Sequence, residues 1–288
     1  MTVGPHSLNE ARANGQGART DPAIAGPSAR AVSIFEEAPD LLRGLGPSVA
    51  AEAAKVRVPL LVLERGPWAP PSLRQDPGRH FGLLVLDGLL LRRVTLHGRT
   101  GAELLGDGDL LQPWVLQPPY DTLVAEPGWE VLEQTRLAVL DGRFAARVAP
   151  RPEVAAALLA RAIERARMLA FQHVASHIPG LEGRLLALFW ALADRWGRVR
   201  PDGVLIPVPL THATVAELVG ASRPSVSTAL ARLARQGALQ RQGAAWLLDR
   251  RAPRGQPRTM TPAEGNGHPD KGTFRTPAVG SGAAPTAT

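Results

Sequence analysis

The stretch "THATVAELVGASRPSVSTALARLARQGALQRQGAAWLLD", residues 211–249, holds two short helical patterns on either side of a glycine. Thr211 is a good N-cap for the first pattern, in which Val215, Leu218 and Val219 fall on one face. Gly220-Ala221 makes a tight turn. Ser222 caps a second helix whose apolar stripe is Val226, Leu230 and Leu233. Two short helices joined by a tight glycine turn form a helix-turn-helix. After Gly237 the sequence alternates, turns at Arg241-Gln242-Gly243 and ends in "AAWLLD", which reads as a two-stranded wing.

An arginine and a proline stand at the very start of the second helix. Pro224 suits the first turn, because its fixed φ is already helical and its missing N–H is unpaired there anyway. A helix N-terminus carries partial positive charge and suits a phosphate or the electron-rich edge of a base pair. Arg223 projects from that end, and arginine donates two parallel hydrogen bonds to guanine O6 and N7. Ser225, Thr228, Arg232 and Arg235 lie away from the apolar stripe. Short polar groups near the entering end, with charges further along, are what a recognition helix in a DNA major groove needs. Leucine-striped helices with surface arginines are also common in proteins that bind no DNA. The length of the glycine turn and the wing that follows it favour DNA.

The rest of the chain is compatible with that reading. Among 288 residues, 44 % are apolar, enough for a core, and the net charge of +7 favours an anionic partner. There is no cysteine, so disulfides, thiolate-ligated zinc and iron–sulfur clusters are excluded. "MTVGPHSLNEARANGQGART" has no apolar stretch of signal-peptide type, and "FGLLVLDGLLL" is interrupted at Asp87 and Gly88. The expectation is a soluble cytoplasmic protein with no membrane partner. Residues 1–30 and 251–288 are rich in small and polar residues without periodicity, and are expected to be disordered tails.

Between 31 and 150 the texture is short helical pieces and then many short apolar runs. Asp87-Gly88 and His97-Gly98 sit between such runs, where hairpin turns want positive φ. An antiparallel roll, barrel or sandwich is expected. Residues 151–178 form one long helix opened by Pro152. In it Ala155, Leu159, Ala162, Ala166, Leu169 and His173 step by 4, 3, 4, 3 and 4. That heptad-like seam fits either a dimer helix or a helix lying on the barrel. Residues 179–250 then open with the strongly apolar helix "LEGRLLALFWALADRWG" and continue through the helix-turn-helix.

These residues resemble the cyclic-AMP receptor protein/FNR family of transcription regulators, over roughly residues 34–250 and most closely in "THATVAELVGASRPSVSTALARL". The resemblance implies an α+β fold: an N-terminal antiparallel β-roll like a cyclic-nucleotide-binding domain, a long dimerisation helix and a C-terminal winged helix-turn-helix. It implies a homodimer on near-palindromic double-stranded DNA, with RNA polymerase as a further partner if the protein activates. Carried over, Arg223 matches an arginine that reads a guanine, and Thr211, His212 and Ser222 match phosphate contacts; with Ser225, Ser227, Thr228 and Arg232 they make up the expected DNA-binding set. Pro224 stands where some relatives have an acidic base-reading residue and Thr228 where a second base-reading arginine often sits, so the target sequence should differ.

The sensor end departs from the family pattern. After "GDGDLL" (106–111), Gln112-Pro113 replaces the Gly-Glu pair of nucleotide binders, and no lysine or arginine occurs between Gln112 and Gln134. A buried cyclic phosphate without a cation is badly unfavourable. Ordinary cyclic-nucleotide binding is therefore expected to be absent, no cofactor is expected, and the effector is left unassigned. The alternatives are a β-roll enzyme and a metal- or haem-binding sensor. The first lacks clustered ligands and any nucleophile elbow, P-loop or dinucleotide fingerprint. For the second, His80 sits at a strand start and His173 and His177 are spaced i, i+4, but a metal site usually needs a third ligand and an oriented outer shell.

Overall fold

The computed structural model describes residues 30–43, 45–70, 80–112 and 125–254. Both expected tails lie outside them except for residue 30 and residues 251–254.

The order of elements is β1 (Ala31–Ser33), α1 (Ile34–Glu37), a 3-10 turn (Pro39–Leu42), α2 (Pro47–Ala54), β2 (Arg57–Leu63) and β3 (Gly66–Pro67). Then come β4 (Gly82–Leu96), β5 (Arg99–Leu105), β6 (Leu110–Leu111), β7 (Glu126–Leu140) and α3 (Gly142–Val148). Two long helices follow, α4 (Pro152–Ser176) and α5 (Leu181–Trp196). The chain continues with β8 (Arg198–Arg200), β9 (Gly203–Ile206), α6 (His212–Val219), α7 (Arg223–Arg235), β10 (Leu239–Gln242) and β11 (Ala245–Leu248).

The N-terminal sheet is antiparallel at every described pairing, with the order β1-β2-β7-β4-β5, β3 on β7 and β6 on β4. His97 and Gly98, with φ of 48° and 70°, make the two-residue turn between β4 and β5, as expected of a hairpin with both central residues at positive φ. Asp87-Gly88 is not a turn. Gly88 has φ 101° inside the 15-residue strand β4, where the register against β7 slips on both sides of Asp87. A Cβ on Gly88 would lie 2.4 Å from the Gln134 carbonyl oxygen, and the Leu89 N–H donates to Thr135 Oγ1 at 3.1 Å. The glycine thus supports a bulge that bends one continuous strand. "WEVLEQ" and "TRLAVLDG", which read as separate runs, are likewise one 15-residue strand, β7.

α4 begins at Pro152 and runs 25 residues. It turns Val154 and Leu158 into the roll's core. Its heptad-like seam is divided: Ala155 and Ala162 are half-buried, whereas Leu159, Ala166, Leu169 and His173 are exposed. Leu159 is 60 % exposed and Leu169 40 %, with Ile163 and Val174 exposed beside them. The exposed part of the seam is therefore not what lays this helix on the barrel.

α5 buries Leu185 and Phe189 completely, each contributing about 2–3 kcal/mol of apolar transfer. Its apolar cluster takes in Val215, Val226, Leu230 and Leu233 of the helix-turn-helix, Trp246 of the wing, and also Leu89, Leu91, Leu104 and Leu132 of the roll. The wing is larger than the expected pair of strands. β10 and β11 join β9 and β8 in a four-stranded antiparallel sheet. Residues 252–254, expected to belong to a disordered tail, instead pack on α5. Ala252 is buried in the α5 cluster, Trp190 donates its indole N–H to the Pro253 carbonyl at 3.2 Å, and the Arg254 guanidinium lies 4.5 Å from the Trp190 ring centre. Trp190 thus gives an otherwise polar segment something to pack on.

Candidate nucleic-acid interface

Each helix of the motif starts on a hydroxyl. Thr211 Oγ1 accepts from the Thr214 N–H at 3.1 Å, and Ser222 Oγ accepts from the Ser225 N–H at 3.3 Å. Gly220 ends α6 in the left-handed region at φ 62°, ψ 44°, a conformation that favours glycine. Only Gly220, Ala221 and Ser222 separate Val219 from the start of α7, so α6 and α7 pack as a tight pair. In α7, Val226, Ala229, Leu230 and Leu233 are buried. In α6, Thr214, Val215, Ala216 and Val219 are buried, whereas Leu218, expected in the stripe, is only half-buried.

The opposite face of α7 is open. Arg223, Pro224, Ser225, Thr228, Arg232 and Arg235 are all exposed. Among the described residues Arg223 has no ion pair, while Arg232 stands 3.5 Å from Glu182 in an exposed contact. Thr228 donates its hydroxyl to the Pro224 carbonyl at 3.2 Å, one turn back. The Thr228 side chain is otherwise open to solvent.

Two of the expected contact residues are turned partly inward. His212 Nδ1 and Ser227 Oγ lie 2.9 Å apart and brace α6 against α7. The His212 ring sits 6.1 Å from Trp246, and burial, then Arg241 and Arg223, hold its pKa below the ordinary histidine value. Sequence reasoning missed Arg241. From β10 it donates to the Leu210 carbonyl at 2.7 Å and lies 5.0 Å from the Trp246 ring centre, pinning the wing to the start of α6.

The β-roll has a cavity of about 310 Å³ lined by Phe81, Arg92, Gln112, Trp129, Ala162 and Arg165, among others. The cations not found between Gln112 and Gln134 arrive from elsewhere, Arg92 from β4 and Arg165 from α4. Both are already engaged: Glu103 accepts from Arg92 at 2.8 Å and from Arg165 at 2.5 Å, and its side chain is only 8 % exposed. His173 and His177 stack edge to face at 4.9 Å on the exposed side of α4. Among the described residues no group of three or more His, Asp or Glu is placed to hold a metal, and no helix is long and apolar enough to cross a membrane.

Comparison with known proteins adds the family. Residues 183–252 match the model of the Crp-like helix-turn-helix domain. The CRP-like cAMP-activated global transcriptional regulator of Mycobacterium tuberculosis is 32 % identical over 183 residues, covering 60 % of this chain and 77 % of that protein. This chain belongs to the CRP-like, or Crp/Fnr, family of transcription regulators. Solved relatives share the regulator's fold at low identity. A CooA mutant from Carboxydothermus hydrogenoformans superposes with a TM-score of 0.51 at 17 % identity, over 73 % of this chain and 89 % of that one. FixK2 from Bradyrhizobium japonicum superposes with a TM-score of 0.50 at 16 % identity, over 66 % of this chain and 92 % of that one. The CRP-like regulator thus joins an antiparallel roll, a long helix and a winged helix-turn-helix, in the order its sequence implied.

Proposed function

We propose that this CRP-like regulator binds near-palindromic double-stranded DNA as a homodimer, with α7 of each protomer in a major groove. One observation carries the reading: α7 buries its apolar stripe and leaves Arg223, Ser225, Thr228 and Arg232 exposed beside a hydroxyl-capped N-terminus. Arg223 and Thr228 read bases. Thr211, Ser222, Ser225 and Arg232 face phosphates, and His212 and Ser227 position the two helices while the free imidazole edge faces the backbone. Dimerisation runs along α4 through Leu159, Ile163, Leu169 and Val174, four of the apolar side chains that the protomer leaves uncovered. Two-fold symmetry then places the recognition helices about 34 Å apart, on successive major grooves.

Selection from a random duplex library tests the reading. An enriched inverted repeat with half-site centres about 10 base pairs apart supports it, and enrichment of no palindrome overturns it. The work is that of a cytoplasmic protein, and transcription control follows from how the bound dimer meets RNA polymerase. Cyclic AMP is not the effector in this reading, because Glu103 already occupies the two arginines of the roll's cavity. A thermal shift unchanged by cyclic AMP is the expected result, and a large stabilisation overturns this part.

A further inference from the structure

Arg92 and Arg93 are neighbours on β4 and point to opposite faces of the sheet. Arg92 serves the interior triad with Glu103 and Arg165. Arg93 reaches out of the roll. Its Nε donates to Glu217 Oε2 on α6 at 2.7 Å, and another guanidinium nitrogen donates to Glu130 Oε2 on β7, also at 2.7 Å. The residues paired with Arg93 across the sheet are Ala102 on β5 and Gly128 on β7, small enough to let α6 approach. One guanidinium thus ties the first helix of the DNA-binding motif to two strands of the roll.

The remainder of this junction is mostly apolar. Leu89, Leu91, Leu104 and Leu132 merge with the core of the winged domain. Apolar contact holds surfaces together but has little preference for direction. Hydrogen bonds in a planar fork do have direction. A second tie runs from Arg195 on α5 to the buried Asp109 at 2.6 Å, and the Gly106 N–H holds the same carboxylate at 2.8 Å. Two attachments on different helices constrain rotation as well as distance.

We infer that Arg93 is a positioning residue for DNA binding: through Glu130 and Glu217 it sets the orientation of the winged domain on the roll, and so the half-site spacing the dimer accepts. This rests on the homodimer reading above. The three side chains are 27, 37 and 29 % exposed, so the pairs are partly screened and their effect is graded.

The test is selection on half-sites joined by spacers of varied length, using the full chain, with thermal midpoints measured alongside. The wild type should enrich one spacer. Arg93→Gln and Glu217→Gln should each lower the preference for it over its one-base-pair neighbours by about fivefold, the scale of a partly buried ion pair. The double variant should lower it no further than Arg93→Gln alone, since that change already removes the contact with Glu217. Arg93→Lys keeps the charge, loses the fork and should also broaden the range; it carries the test if the glutamine variants do not fold. Variants with lowered midpoints but a spacer preference as sharp as wild type would overturn the inference alone. A wild type with no preferred spacer would overturn the dimer reading and this inference together.

Discussion

Arg223 is the exposed residue on which sequence reading chiefly rests. Arg223→Ala should weaken binding to the selected site by about 1–3 kcal/mol and relax preference at one base of each half-site. Competition between the selected duplex and scrambled DNA checks it, and equal loss on both would remove Arg223 from base reading. His212 supports a different prediction. Burial, then Arg241 and Arg223, depress its pKa below the ordinary 6.5, so the folded protein resists protonation there while the unfolded chain does not. The stability this residue confers is present in full above about pH 6.5 and is lost as pH falls through its lower folded-state value. Denaturant unfolding at neutral and acid pH should therefore show a smaller loss in His212→Gln than in wild type. An identical pH dependence in the two proteins would contradict the assignment.

α4 is the element whose role changes most between one protomer and two. Its inward side chains, Val154 and Leu158, are fully buried, whereas Leu159 and Val174 are 60 and 66 % exposed. Substituting Leu159→Glu and Val174→Glu together should leave the helical signal intact and convert the protein to a monomer by sedimentation. A dimer that survives both changes would place the interface elsewhere. The seam was legible in the sequence as a spacing of three and four, but which side it faced was not. An alanine-rich helix carries two adjacent stripes, and only the packing of Val154, Leu158 and Arg165 on the roll selects between them. Glycine was ambiguous in the same way: Gly98 and Gly88 both have positive φ, yet one closes a hairpin and the other bulges a strand. The difference lies in Thr135 and Gln134, residues from a strand far along the chain. The caps at Thr211 and Ser222 and the stripe of α7 were legible because they are local. The Arg92–Glu103 pair was legible in principle, since a turn at His97-Gly98 places them opposite each other. Arg165, 62 residues from Glu103, was not.

At the scale of the whole molecule, salt dependence counts protomers as well as charges. Each phosphate neutralised by an arginine releases condensed counterions, and log K against log salt falls by about 0.9 for every such contact on B-form DNA. Arg232 lies on the open face of α7, past the base-reading end, with a weak exposed contact to Glu182 that a phosphate can replace. If a dimer places both copies against the backbone, Arg232→Ala should make the slope shallower by about 1.8, and a monomer on a half-site by about 0.9. Base preference should stay as in the wild type, because a phosphate contact carries no sequence information. Arg223→Ala should do the reverse, altering preference with little change of slope. Titration of the selected duplex at several salt concentrations therefore separates positioning from reading and reports the number of chains on the DNA. A slope unaffected by Arg232→Ala would take that residue away from the backbone and turn the face of α7 relative to the groove.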